Sequence, residues 1–148
     1  MNAAFFLTPK NELAFLFDDC TLRQGLEKMR SSGYTAIPVI KRDGTYVGIV
    51  QEGDFLWHLI GKSGNTVFSL RDLENERIPC ILQTTRFPAV RIIAPMDDIV
   101  DRALTQNFVP IVDDSDKFIG IVTRNRVMRY LTERKSEPLP RPADAATL

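Results

Sequence analysis

The sequence predicts an α+β fold built twice from one unit, and three observations carry that prediction. The first is the stretch from Gly33 to Leu59, which reads as strand, tight turn, strand and helix in succession. The second is its echo: Pro38 recurs as Pro110 and Gly48 as Gly120, both at an offset of 72 residues. The third is that the offset aligns whole segments. Gly48-Ile49-Val50 meets Gly120-Ile121-Val122, and Leu59 meets Leu131. The chain is an internal duplication.

Each element follows from its residues. Pro9 stops any helix formed by the opening residues. Leu13 to Phe17 is a short apolar run that suits a buried strand. Asp18, Asp19 and Thr21 supply N-cap candidates for a helix carrying Leu22, Leu26 and Met29 on one face. Ser31-Ser32-Gly33 ends it, with Gly33 suited to a left-handed terminating position. Thr35 to Ile40 is apolar and β-branched, Asp43-Gly44 is a hairpin turn signal, and Tyr46 to Val50 is the returning strand. Phe55, Leu56, Leu59 and Ile60 then share a helical face.

Gly61 to Asn65 is the clearest interior break, and Leu70 to Glu76 reads as a short connecting helix. Ile78 to Leu82 resumes the pattern, Ala89 to Ile93 is the second short strand, and Pro95-Met96-Asp97-Asp98 opens the second helix, which carries Ile99, Ala103 and Leu104. Phe108 to Val112, the turn Asp113 to Asp116, Phe118 to Val122 and a helix from Arg124 to Leu131 complete the echo. The expected division is a first repeat over 5–60, a linker with a short helix over 61–77, a second repeat over 78–132, and a disordered Pro-rich tail over 133–148. Each repeat reads β-α-β-β-α. A half of about sixty residues has a marginal core alone, so the halves are expected to pack as one pseudo-two-fold symmetric domain.

Composition narrows the function. An apolar share of 44% and a charged share of 26% over 148 residues are ordinary for a globular protein. Nineteen basic residues balance nineteen acidic ones, which speaks against nucleic acid or an anionic membrane as partner. Cys20 and Cys80 are too few for a disulfide scaffold and read as two buried thiols in a reducing compartment. The apolar opening Ala3 to Leu7 is too short for a signal-peptide core, and no apolar run reaches membrane-spanning length. The expected location is the cytoplasm. His58, the sole histidine, sits beside Trp57 within a helix and suits packing better than catalysis. No Ser-His-Asp set, phosphate-binding loop or metal-ligand spacing assembles, so neither an enzyme nor a metal or cofactor is expected.

A strand ending in hydrophobic-Pro-Val, an Asp-Gly turn, and Val-Gly-Ile-Val running into a helix resembles the CBS domain, named after cystathionine β-synthase. Two in tandem resemble a Bateman module, and Phe6-Leu7-Thr8-Pro9 is similar to the family's Met-Thr-Pro-type entry. The resemblance spans 5–132. Gly33 to Val39 and Gly120 to Arg124 are especially similar to small bacterial CBS pairs that bind cyclic di-AMP and dock on a partner protein. It implies a regulatory adenine-nucleotide sensor that pairs into homodimers through its helices. Phe55, Leu56, Trp57, Val127, Met128 and Tyr130 are the apolar helix residues in excess of one core's needs. The alternative is a protein-interaction module whose clefts bind nothing.

Thr123 carries the physical case for a nucleotide. It stands where a strand hands over to a helix, whose free N–H groups and positive dipole end favour phosphate. Arg124 and Arg126 oppose that dipole, and either meet an anion or are solvated surface arginines. The resemblance implies a first cleft combining Leu13, Ala14, Tyr34, Thr35, Ala36, Ile37 and Pro38 with Ile121, Thr123, Arg124, Asn125 and Arg126. Small Ala14 and Ala36 leave room for a purine, and Tyr34 either stacks on the base or is a core-edge tyrosine. Arg126 replaces the family's ribose-binding Asp, which favours a phosphate-rich ligand over simple AMP or ATP. The cyclic di-AMP binders carry two consecutive arginines after the Thr, where this chain has Arg124-Asn125, and a lysine near Glu12. The reverse combination implies a second cleft of Val90, Arg91, Phe108, Val109 and Pro110 with Ile49, Gln51 and Asp54. Gln51 replaces its Thr or Ser, and Phe108 stands where the first repeat has Ala36, so that cleft is expected to be closed or degenerate, with Asp54 an ordinary helix N-terminal acid.

Overall fold

A computed structural model of the chain describes residues 3–63, 70–84 and 86–135. The expected tail beyond Lys135 and the Gly64-Asn65 part of the break lie outside them. The strands are β1 (Thr8–Pro9), β2 (Leu16–Phe17), β3 (Ala36–Ile40), β4 (Tyr46–Gln51), β5 (Val90–Arg91), β6 (Phe108–Val112) and β7 (Phe118–Thr123). The helices are α1 (Leu22–Ser32), α2 (Glu52–Ser63), α3 (Leu70–Asn75), α4 (Met96–Ala103) and α5 (Arg124–Lys135). The structure is α+β, and each half has the expected β-α-β-β-α order.

Local chemistry explains the element ends. Thr21 caps α1 in a reciprocal box, its hydroxyl accepting from the Gln24 amide while the Gln24 side chain accepts from the Thr21 amide. Gly33 ends α1 at φ 74°, the left-handed position the sequence predicts for it. Pro95 precedes the first turn of α4. Gly61 lies inside α2, so the break expected to begin there does not begin at Gly61. An isolated glycine in a helix's last turn costs only about 1 kcal/mol, too little to end a helix by itself. Likewise α5 runs past Leu131 to Lys135 and takes up the first residues assigned to the tail.

Two sheets form, ordered β2-β3-β4 and β1-β7-β6-β5. Both central pairs are antiparallel hairpins in equivalent register: Pro38 faces Ile49 as Pro110 faces Ile121. Proline is tolerated there because β2 pairs with β3 only at Val39 and Ile40, and β5 with β6 only at Ile111 and Val112, so each proline has a strand partner on one side alone. The unforeseen element is β1. It leaves the first repeat and pairs with the second, Thr8 against Ile121 and Pro9 against Gly120. The buried Ala3 and Phe6 follow it into the second repeat's core. The chain after α3 makes the matching crossing, with Leu82 and Thr84 lying against Gly48. Each repeat is therefore edged by the segment that precedes the other.

The two hairpin tips also pair with one another. The Tyr46 amide donates to the Asp116 carbonyl (3.1 Å), and the Phe118 amide donates to the Gly44 carbonyl (2.9 Å). Gly44 (φ 94°) and Asp116 (φ 62°) hold the same left-handed turn position in the two repeats. Hydrogen bonds from Thr45, then Lys117, hold the Asp43 carboxyl down to about 2 at this joint. Beneath it, Ile40, Phe118 and Ile121 form an inter-repeat core, flanked by Leu13, Phe15, Phe17, Tyr46 and Phe108. Each repeat keeps its own core as well, around Leu22, Ile37 and Phe55 in the first and Ile99, Val109 and Val127 in the second. Two cores and a shared third make one pseudo-symmetric unit.

Two expectations about single residues change. Cys80 is exposed and only Cys20 is half-buried; burial pushes the Cys20 thiol up to about 11. Native protein at neutral pH is therefore expected to take up one equivalent of iodoacetamide, at Cys80. Peptide mapping checks this, and rapid labelling of Cys20 would contradict the packing around α1. Among the helix residues assigned to an outer face, Phe55 and Val127 belong to the cores, and Tyr130 packs edge-on against Phe6 at 5.2 Å. Leu56, Trp57 and Met128 remain exposed.

Candidate functional site

Where the repeats meet, the duplication creates two equivalent clefts that differ in size. The first is a cavity of about 460 Å³, within the range of small-molecule sites. It is bounded by residues of both repeats: Leu13, Ala14, Tyr34, Thr35, Ala36 and Pro38 on one side, Ile121 and Thr123 on the other. These eight belong to the set expected for it. Strand alternation explains why Ile37 does not join them. Ala36 and Pro38 project towards the cleft, while Ile37 turns into the first core and is wholly buried.

Thr123 closes β7 and opens α5. Its hydroxyl accepts from the Arg126 amide (3.2 Å), the capping role that its place between strand and helix predicts. The Arg124 amide donates to the Asn107 carbonyl (2.8 Å), tying this helix start to β6. The Arg124 side chain goes elsewhere: its Nε donates to the Ala103 carbonyl (2.8 Å) at the C-terminal end of α4. A cation there complements the α4 dipole, which explains an arginine at this position without an anion. Arg124, Asn125 and Arg126 are not among the residues bordering the cavity; Asn125 and Arg126 are exposed.

Five residues border the cavity without having been assigned to it: Thr8, Glu12, Gly33, Asn107 and Phe108. Thr8 arrives because β1 crosses to β7, and Glu12 follows it on the turn Lys10–Glu12. Asn107 is the 72-residue echo of Thr35, a signal present in the sequence once the repeat is aligned.

The second cleft is a cavity of about 100 Å³ bordered by Ala36, Ile49, Gln51, Phe87, Thr105, Gln106, Asn107 and Phe108. Two differences reduce it. Phe108 fills the place that Ala36 leaves open in the first cleft, and Thr105 stands where the first cleft has Gly33. Asp54 does not border this space. Its carboxylate is 8% exposed and accepts from the Gln51 amide (2.8 Å) and from Arg86 (2.7 Å). The Arg86 guanidinium lies 4.8 Å over the Phe87 ring. Arg91 is engaged outside, donating to the Asp114 carbonyl (2.9 Å) and Asp116 (3.2 Å), while Val109 and Pro110 are buried in the sheet. His58 pairs with Glu76, joining α2 to the segment after α3.

The family profile for the CBS domain matches residues 7–61 and 81–133, one match per repeat. Among curated proteins, the chloroplastic CBS domain-containing protein CBSX2 of Arabidopsis thaliana is 29% identical over 152 residues. The match covers 89% of this chain, but the chain spans only 64% of that relative's length. Two solved structures share the fold. The CbpB protein of Listeria monocytogenes in complex with cyclic di-AMP has a TM-score of 0.77 at 22% identity, covering 89% of this chain and 96% of that one. CBSX2 in complex with AMP has a TM-score of 0.68 at 24% identity, covering 90% and 98%. The duplicated β-α-β-β-α unit, the crossed edge strands and the profile match to both repeats agree: this chain belongs to the CBS-domain family, as a pair of CBS repeats.

Proposed function

We propose that this chain is a regulatory, non-enzymatic module that binds an adenine nucleotide in its first cleft and reports ligand state to a partner protein. Cyclic di-AMP leads the candidates, ahead of AMP, ADP and ATP. The observation that carries this reading is the cleft of about 460 Å³ walled by both repeats. A ligand held there contacts β3 of one repeat and β7 of the other, so its binding energy favours one relative orientation of the repeats. That is a population shift transmitted to whatever docks on the outer helices. Fold neighbours solved with cyclic di-AMP and with AMP support the ligand class. Exposed Leu56, Trp57 and Met128 on α2 and α5 support pairing into a homodimer through those helices. We place the module in the cytoplasm; among the described residues no helix is long and apolar enough to cross a membrane.

A thermal-shift series with AMP, ADP, ATP, cyclic di-AMP and S-adenosylmethionine tests the reading. Saturating ligand at about 100 times its Kd adds about 2.7 kcal/mol, which raises the melting temperature by several degrees. Thr123→Ala is expected to lower the unliganded melting point, since loss of a cap costs about 1 kcal/mol, and to shrink the nucleotide shift. A flat response across the series favours the second reading, an interaction or dimerisation module with empty clefts. The small second cleft and the exposed apolar side chains on α2 and α5 are what favour that reading.

A further inference from the structure

We propose that Glu12 limits the charge of the ligand, so that the first cleft accepts an adenylate with one phosphate per adenosine and turns away polyphosphates. The inference rests on the nucleotide reading above and concerns which nucleotide that site selects. Among the described residues that border the cavity, Glu12 is the sole acid and there is no lysine or arginine. Two nearby cations serve other partners, and Arg126 is exposed and does not border the cavity. Arg124 donates its Nε to the Ala103 carbonyl, and Lys10 lies 5.2 Å over the Phe15 ring. Glu12 itself takes part in no ion pair among the described residues.

An unpaired carboxylate on the rim of a cavity without cations repels every added phosphate charge. The remaining side-chain donors are neutral, from Thr8, Tyr34, Thr35, Asn107 and Thr123. They are enough for a sugar and one phosphate beside the α5 N-terminus, and they leave the further charge of a di- or triphosphate uncompensated. ATP carries about two more negative charges than AMP at neutral pH. Each unit charge held a few ångströms from a solvated carboxylate changes affinity by about fivefold at low salt. Glu12 is therefore a specificity-determining residue, acting by repulsion of the wrong ligand.

Calorimetric titration of AMP and ATP into the full chain and into Glu12→Gln and Glu12→Lys tests this, with melting curves to show that the exposed position leaves the fold intact. The parent chain is expected to prefer AMP over ATP by at least about tenfold. Glu12→Gln narrows that ratio by about fivefold or more and Glu12→Lys narrows it further, while AMP affinity changes less than ATP affinity. Raising salt weakens the parent's preference. An unchanged AMP-to-ATP ratio in all three proteins, with AMP still bound, overturns the role of Glu12 and leaves the nucleotide reading standing. A parallel titration with cyclic di-AMP tests the site itself: failure of all three proteins to bind any of the three nucleotides overturns the nucleotide reading and this inference with it.

Discussion

Gly120→Ala is expected to melt about 10 °C or more below the parent chain, the largest loss of stability for a change of one methyl group. A Cβ at Gly120 would lie 2.3 Å from the Thr8 carbonyl oxygen and 2.9 Å from a Leu7 methyl. The first of these is backbone and cannot rotate away. To admit the methyl group, β1 must leave β7, and the buried Ala3 and Phe6 must leave the second core with it. Losing that packing and the edge pairing costs about 3 kcal/mol or more, which corresponds to about 10 °C for a chain of this size. Gly48→Ala is the internal control, because Gly48 holds the same position in the first repeat. There the new Cβ meets the tip of Leu82 at 3.1 Å, a side chain that can turn aside, so a cost of about 1 kcal/mol is expected. Thermal melts of the two variants check the asymmetry. Equal losses in both would contradict the crossed-edge packing.

Ala36→Phe is expected to abolish nucleotide binding while preserving the fold. Ala36 borders both cavities, as Phe108 does, and the two positions are 72-residue equivalents. The protein already performs this substitution on itself. With phenylalanine at the equivalent place, the second cleft holds about 100 Å³ instead of about 460 Å³. A second phenyl ring on the opposite side removes room that a purine needs. The expected effect is at least about a 100-fold loss of affinity, equivalent to about 2.7 kcal/mol, with a circular dichroism spectrum like the parent's. Tight binding by a folded Ala36→Phe chain would move the site elsewhere.

These two predictions draw on different depths of the sequence. The β3-β4 and β6-β7 hairpins were legible because their pairing is local, their turns carry Asp-Gly or Asp-rich signals, and the 72-residue offset reads them twice. The resemblance to the CBS domain, and not the alignment by itself, implied that Ala36, Pro38, Ile121 and Thr123 share one cleft. The crossing of β1 was not legible, since a pairing of two residues has no periodicity, and its only trace is a glycine whose reason lies 112 positions away along the chain, at Thr8. Ile37 was separable from its neighbours only once the strand's facing was known. Arg124 is a different case. Its place at a helix start suggested an anion, and in the structure its Nε donates to the Ala103 carbonyl at the end of α4, a tertiary contact that the local sequence does not display. Phe108 in the place of Ala36 was visible in the alignment, and its consequence is the smaller second cleft.

Native mass spectrometry of the full chain with saturating cyclic di-AMP and, in parallel, AMP decides whether the first cleft holds a nucleotide. One nucleotide is expected per chain, intact in mass, and none on Ala36→Phe. A chain that stays unliganded by both at every concentration, or that takes up two nucleotides with equal affinity, would contradict the proposed site.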